Sequence, residues 1–185
     1  MIPKSALLLT LVTLTGGLGL PSQEQALRSI FPRTQVETQT IYLTAKELKE
    51  MKELVGAKSK AVHRVHTLSQ KGVTVGIAVT DVHRVRSKKS ALVIGSSPSG
   101  KLTGVRVIGF QEPKEYLPSQ KWLAQFQGKE LNKELHLKKG VDGITGATLT
   151  SRATVLATRR ALALQSILKS RETKNNRHDP SRSTP

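Results

Sequence analysis

The sequence predicts an α+β domain: a small, mostly antiparallel sheet with helices packed against it and a long C-terminal helix closing the core. Three observations carry this expectation. Apolar residues recur with period two in three runs between residues 72 and 110, the spacing of half-buried strands. Two Ser/Thr-x-x-Gln/Glu boxes stand ahead of helix-spaced apolar stripes, which marks helix starts. Residues 150–169 place apolar side chains along one face of a long helix.

Taken in order, residues 1–20 open with one cation, Lys4, and then run uncharged through Leu7, Leu8, Leu9, Leu11, Val12, Leu14, Leu18 and Leu20. That is the order of an export signal. As a helix, residues 5–20 would span about 24 Å, short of the roughly 30 Å hydrocarbon core. Cleavage is favoured over a retained anchor, with Gly17-Leu18-Gly19 as a small-x-small site. Ser22 and Gln25 form the first capping box, Ala26, Leu27 and Ile30 the stripe behind it, and Pro32 stops the helix. Thr44 and Glu47 repeat the box, Leu48, Met51 and Val55 follow, and Gly56 sits where a left-handed cap belongs.

Strands are expected at residues 72–82, 91–95 and 102–110, the last two joined as a hairpin by Ser96-Ser97-Pro98-Ser99-Gly100. Ser119 starts a short helix with Trp122, Leu123 and Phe126 on one side, and Gly128 ends it. Leu135 and Leu137 alternate toward Gly140 and read as a last strand. Ala153, Leu156, Ala157, Leu164, Ile167 and Leu168 are the expected buried side of the final helix. Residues 170–185 hold no Val, Ile, Leu, Phe or Met, so a mobile tail is expected there. The divisions are thus a signal or anchor at 1–20, a helical and extended region at 21–71, a domain at 72–169 and a tail at 170–185.

Composition narrows the chemistry. The 185 residues are 37% hydrophobic with 14 Gly, and 30 Lys plus Arg against 13 Asp plus Glu give +17. This is a folding chain of one domain with an anionic partner, surface or ligand in prospect. It has no cysteine, which excludes disulfides, Cys-ligated zinc, iron–sulfur clusters and thiol nucleophiles.

The chemistry-bearing segment lies at 140–151, between the expected last strand and the last helix. Small residues there let backbone approach a ligand, and hydroxyls gather at a helix start. The first helical turn leaves N–H groups unpaired and carries about half a positive charge, which suits a phosphate. The plainer reading is a tight turn capped by Thr148, Thr150 or Ser151 with nothing bound.

Within that segment, Asp142-x-x-Thr145-Gly146-Ala147-Thr148 resembles the flavinylation motif D-x-x-[ST]-G-A-[ST] of the FMN-binding domain family. That family includes the peripheral flavin subunits of the Rnf and Nqr respiratory complexes. With average residue usage, five such matches arise by accident about once in a thousand chains of this length. Leu149-Thr150-Ser151-Arg152-Ala153, the strand at 100–107 and the Phe126-Gln127-Gly128-Lys129 helix end are similar to the same family. The resemblance covers about residues 72–168.

It implies FMN attached through a phosphoester to Thr148, with Gly146, Ala147, Thr145, Asp142, Leu149 and Thr150 around it. It also implies a magnesium-dependent flavin transferase that takes FMN from FAD. Asp142 is then either read by that transferase or a turn-former, for instance in an Asx-turn onto Ile144. Glu112, Tyr116 and Trp122 are candidate ring neighbours. The family's Gly after the Glu is absent here, where Glu112 precedes Pro113-Lys114, and a Trp on a helix is commonly core. The flavin would carry electrons without a catalytic acid or base. The chain therefore reads as an exported electron carrier at the periplasmic or extracytoplasmic face of a membrane, working between redox partner proteins, and not as a stand-alone enzyme. Noncovalent FMN and a flavin-free basic docking module remain the alternatives.

The positive charge is uneven. Residues 21–57 carry five basic and five acidic side chains, whereas 58–89 carry eight basic ones against Asp81 alone. Arg84, Arg86, Lys88 and Lys89 form the densest part, suited to an acidic redox partner, to anionic lipid head groups, or simply to solvent. Nucleic acid is not expected, because one Trp, two Tyr and three Phe offer little stacking and the chain is exported. His63 and His66 are expected at the surface, binding no metal, since i and i+3 on a strand face opposite ways.

Overall fold

The computed structural model describes residues 19–178. Most of the apolar run read as an export signal therefore lies outside the described residues. Five strands make one antiparallel meander in chain order: β1 (Gln35–Tyr42), β2 (Val62–Gln70), β3 (Val73–Arg84), β4 (Lys89–Ser96) and β5 (Leu102–Phe110). Four helices accompany them: α1 (Gln23–Ile30), α2 (Ala45–Val55), α3 (Gln120–Leu123) and α4 (Thr148–His178). The class is α+β, as expected.

The local signals work as their chemistry dictates. Ser22 with Gln25 and Thr44 with Glu47 form complete capping boxes on α1 and α2, and Gly56 closes α2 at φ +78°. The sheet is covered on both sides. On one, Ala26, Leu27 and Phe31 of the α1 region pack on Leu68, Ala78 and Val93. The close approach needs Gly95, where a Cβ would stand 2.7 Å from the Phe31 ring. On the other side, Val65, Val79, Leu92, Ile94, Val105 and Val107 meet Met51 and Val55 of α2, Leu123 and Phe126, and Val155, Ala161, Leu164 and Ile167 of α4.

Four expectations are corrected. First, the chain does not divide at residue 72: Lys71 and Gly72, at φ +51° and +79°, are the two central residues of the turn joining β2 to β3. The polar run Gln35–Tyr42 and the His- and Arg-containing run Val62–Gln70 are strands of the same sheet. β1 is exposed on both faces except at Ile41, so its sequence shows little apolar alternation, and this hides it.

Second, no strand forms at 135–137. A single parallel bridge joins Leu137 to Val141. The segment is a knot of turns: the Asn132 side chain accepts from the Glu134 and Leu135 amides, and the Glu134 carbonyl accepts from the His136 and Gly140 amides.

Third, α4 continues beyond Lys169 to His178. Arg171 anchors this extension, donating to the Glu47 carboxylate of α2 at 2.6 Å and to the Tyr42 carbonyl at 2.8 Å. A polar segment remains helical when an ion pair ties it to the body.

Fourth, His63 and His66 are buried, on opposite faces of β2. His66 is 0% exposed and bridges the hydroxyls of Thr38 and Thr80, each at 2.8 Å. His63 bonds the Lys60 carbonyl at 2.9 Å. Burial pushes both imidazoles below their ordinary value.

Candidate functional site

The segment at 140–148 is held by its backbone. The Asp142 amide donates to Gln125 Oε1 at 2.8 Å, and Trp122 Nε1 donates to the Asp142 carbonyl at 2.9 Å. Gln125 Nε2 returns to the Trp122 carbonyl at 2.9 Å, and the Trp122 ring meets Phe126 edge-on at 5.3 Å. Trp122 is thus half-buried and structural in its contacts. Gln125, which no sequence signal singled out, completes the clamp.

Beyond the clamp the chain turns into α4. The Ala147 amide bonds the Ile144 carbonyl at 3.0 Å, with Gly146 at φ +78°, a left-handed position that suits glycine. Ser151 then returns to the turn: its amide and hydroxyl donate to the Ala147 carbonyl, and its Oγ accepts from the Ile144 amide at 2.9 Å. The Asx-turn onto Ile144, one of the two readings of Asp142, does not form: the Ile144 amide is bonded to Ser151 instead.

The pattern sorts the motif residues. Ala147 and Thr150 are buried and hold the turn against the core, whereas Asp142, Thr145, Gly146, Thr148 and Leu149 are exposed. Thr148 is the first residue of α4. As the first three residues of the helix, Thr148, Leu149 and Thr150 have amides with no intrahelical acceptor, and Ala147, which precedes them, has no side chain able to cap them. The Thr148 hydroxyl makes no hydrogen bond among the described residues, and neither does the Asp142 carboxylate.

Thr148 opens into a groove of about 470 Å³ lined by His136, Leu137, Lys138, Gly143, Arg152, Val155 and Leu156. One wall is the knot of turns, the other is α4. Arg152 lies four residues after Thr148 on the same helical face, a spacing legible in sequence. Lys138 arrives only through the tertiary fold. Arg159 fixes the knot in place: its buried guanidinium donates to the carbonyls of Leu54, Val55, Asn132 and Leu135. It joins the C-terminal end of α2, where carbonyls lack partners, to the groove's outer wall. Burial, and then the neighbouring charges of Arg159 and Lys139, lower the His136 pKa and favour its neutral form.

Glu112 and Tyr116 do not line this groove. The Glu112 carboxylate accepts from the amides of Arg86, Ser87 and Lys88 at 3.1, 3.0 and 2.8 Å, which holds it below the usual carboxylate range. It organises the basic turn between β3 and β4. Tyr116 stands in a single 3-10 turn, partly exposed.

A smaller groove of about 180 Å³ adjoins the first through Arg152 and Leu156 and extends to His83, Arg84 and Arg160. Behind it, Arg160 grips Asp81 with two bonds at 2.9 and 2.8 Å, and His83 adds a third at 2.7 Å. Burial alone would raise the Asp81 pKa, but the His83 and Arg160 hydrogen bonds outweigh it and hold the carboxyl well below its ordinary value.

Residues 87–163 match the family described as FMN-binding domain. The matched span runs from the basic turn through β4, β5, the Trp122 clamp and the Thr148 turn into α4. The chain is also similar to one component of the ion-translocating oxidoreductase complex of Shewanella baltica (strain OS223), at 37% identity over 38% of this chain and 39% of that protein. The match thus spans about two-fifths of that relative's length.

Proposed function

We propose, from the match of residues 87–163 to the FMN-binding domain family, that this chain is an exported electron carrier with FMN joined covalently to Thr148. The observation that carries the reading is the Thr148 hydroxyl, exposed and unbonded at the first turn of α4, beside three amides without intrahelical acceptors.

The residues present fit the group. A phosphoester on Thr148 Oγ1 would leave its negative charge facing those amides, with Arg152 and Lys138 within the same groove. Leu137, Val155 and Leu156 offer apolar surface to a flat ring system. Gly143, without a side chain, and Gly146, in its left-handed turn, keep the approach to Thr148 open. Bound FMN would supply one- or two-electron redox chemistry at its ring. The protein's part is to orient and tune it: the Trp122–Gln125 clamp holds the turn, and Arg159 holds the wall opposite.

Loading requires a flavin transferase, and electron flow requires redox partners; the oxidoreductase complex that contains the Shewanella relative is the precedent for the latter. Export is supported by the uncharged leucine-rich run at 5–20.

Co-expression with a flavin transferase of this specificity, denaturing gel fluorescence and intact mass test the whole reading. The expected result is a fluorescent band whose mass is raised by one FMN less a water and reduced by the signal, and loss of the flavin in Thr148→Ala. A Thr148→Ala chain that stays fluorescent overturns the attachment site. Colour that leaves on denaturation indicates noncovalent FMN, and a colourless chain a flavin-free module.

A further inference from the structure

A second cavity lies away from Thr148, at the end of the sheet that α1 leaves uncovered. It measures about 570 Å³, and its lining includes Lys58, Lys60, Val62, Arg64, Val82 and Arg84. The helix α1 begins at Gln23, whose Oε1 accepts from the Thr80 hydroxyl at 3.0 Å. Past that point, no helix among the described residues covers the same face of the sheet. Tyr42 and Val62 are register partners there, and Val82 follows two residues after the Arg64–Thr80 pair, hence on the same face. These three side chains are 68%, 47% and 42% exposed.

An apolar row ringed by cations is what remains. Lys58, Lys60, Arg64 and Arg84 are exposed around it. Lys60 Nζ donates to the Val82 carbonyl at 2.7 Å, which keeps that cation at the row. The cavity's carboxylate, Asp81, is buried and already bonded by Arg160 and His83, so it does not offset the exposed charge.

We propose that this face rests on an anionic lipid surface. Tyr42, Val62 and Val82 enter the headgroup boundary while Lys58, Lys60, Arg64 and Arg84 pair with lipid phosphates. The proposal rests on the reading of an envelope protein, and it adds an orientation. Arg84 lines both this cavity and the smaller groove that reaches Leu149 and Arg152. Docking would therefore hold the Thr148 groove beside the membrane, within reach of a membrane-embedded redox partner.

The chain has no cysteine, so Val62→Cys creates one labelling site, and Ser99→Cys gives a control in the turn between β4 and β5, at the opposite end of the sheet. Each full-length variant, flavin-free, is labelled with a polarity-sensitive fluorophore and reconstituted in phosphatidylcholine vesicles carrying a quencher lipid, with or without phosphatidylglycerol. The expected result is quenching at 62 and not at 99, only when phosphatidylglycerol is present. Replacing Lys58, Lys60 and Arg64 by Gln should weaken the docked state roughly fivefold for each cation, about a hundredfold together. These three side chains are exposed, so the fold should tolerate the change. Quenching at 62 that equals that at 99, or that is indifferent to phosphatidylglycerol and to the three substitutions, overturns the proposal; a face reserved for an acidic protein gives that result. Because the label reports without flavin, failure here is distinguishable from failure of attachment at Thr148.

Discussion

At the scale of residues, Asp142 separates two roles that the sequence left joined. Its amide and carbonyl are spent on Gln125 and Trp122, while its exposed carboxylate holds no part of the turn. A turn-forming Asp would stabilise the fold, whereas one read by a transferase would not. Asp142→Asn should therefore leave the melting temperature within about 0.5 kcal/mol equivalent of the parent and lower flavin incorporation severalfold under limiting transferase. Thermal unfolding and in-gel fluorescence of the same preparation check this. A drop in stability with normal incorporation would return Asp142 to the turn. The buried histidines carry a similar lesson. A pattern of His, Arg and Val in β2 looks like a solvated strand until Thr38 and Thr80 supply the partners that let His66 be buried without cost.

At the scale of elements, α4 and α2 are joined at two ends by arginines of different kinds. Arg159 donates only to carbonyls, whereas Arg171 forms an ion pair with Glu47, a residue that also completes the α2 capping box. The Arg171 hydrogen bond is the main reason the Glu47 pKa falls from its ordinary 4.5 to about 2, with Thr44 assisting. A carboxylate with a depressed folded pKa stabilises the fold above its unfolded value and ceases to do so as pH falls through the folded one. The Glu47 contribution is thus full above about pH 4.5 and lost toward pH 2. Arg171 is about a third exposed, so solvent screening limits the pair to about 1 kcal/mol. Arg171→Ala should lower the melting temperature by about 2–4 °C at neutral pH, and the gap should close on acidification from pH 4.5 toward 2. Melting curves of both chains across that range are the check. A gap independent of pH would assign the effect to packing of the arginine stem.

At the scale of the whole molecule, the family match begins at residue 87, yet the core does not. Val65 and Val79 sit in one core with α4, and Leu68 and Ala78 sit in the other with α1. Cutting at residue 72 would remove β1, β2, α1 and α2 and expose β3 along its whole length. A fragment of residues 72–169 should accordingly show no cooperative thermal transition and little amide dispersion, whereas residues 19–178 should show both. A sharp transition in the short fragment would establish an independent domain.

What the sequence by itself determined was local. Ser22, Thr44 and Ser119 marked helix starts, Gly56 marked a helix end, the run from Ser96 to Gly100 marked a hairpin, and Asp142-x-x-Thr145-Gly146-Ala147-Thr148 marked the turn into α4. Each depends on hydrogen bonds spanning a few residues, which composition and spacing encode directly. Only the tertiary structure decided that 35–42 and 62–70 belong to the sheet, that Trp122 and Gln125 hold Asp142, that Lys138 faces the Thr148 groove and that Asp81 is paired by Arg160. Those contacts join residues far apart in the chain, 17 positions for Gln125 and Asp142 and 79 for Asp81 and Arg160, and burial there is set by what packs on the strand, not by the strand's own pattern.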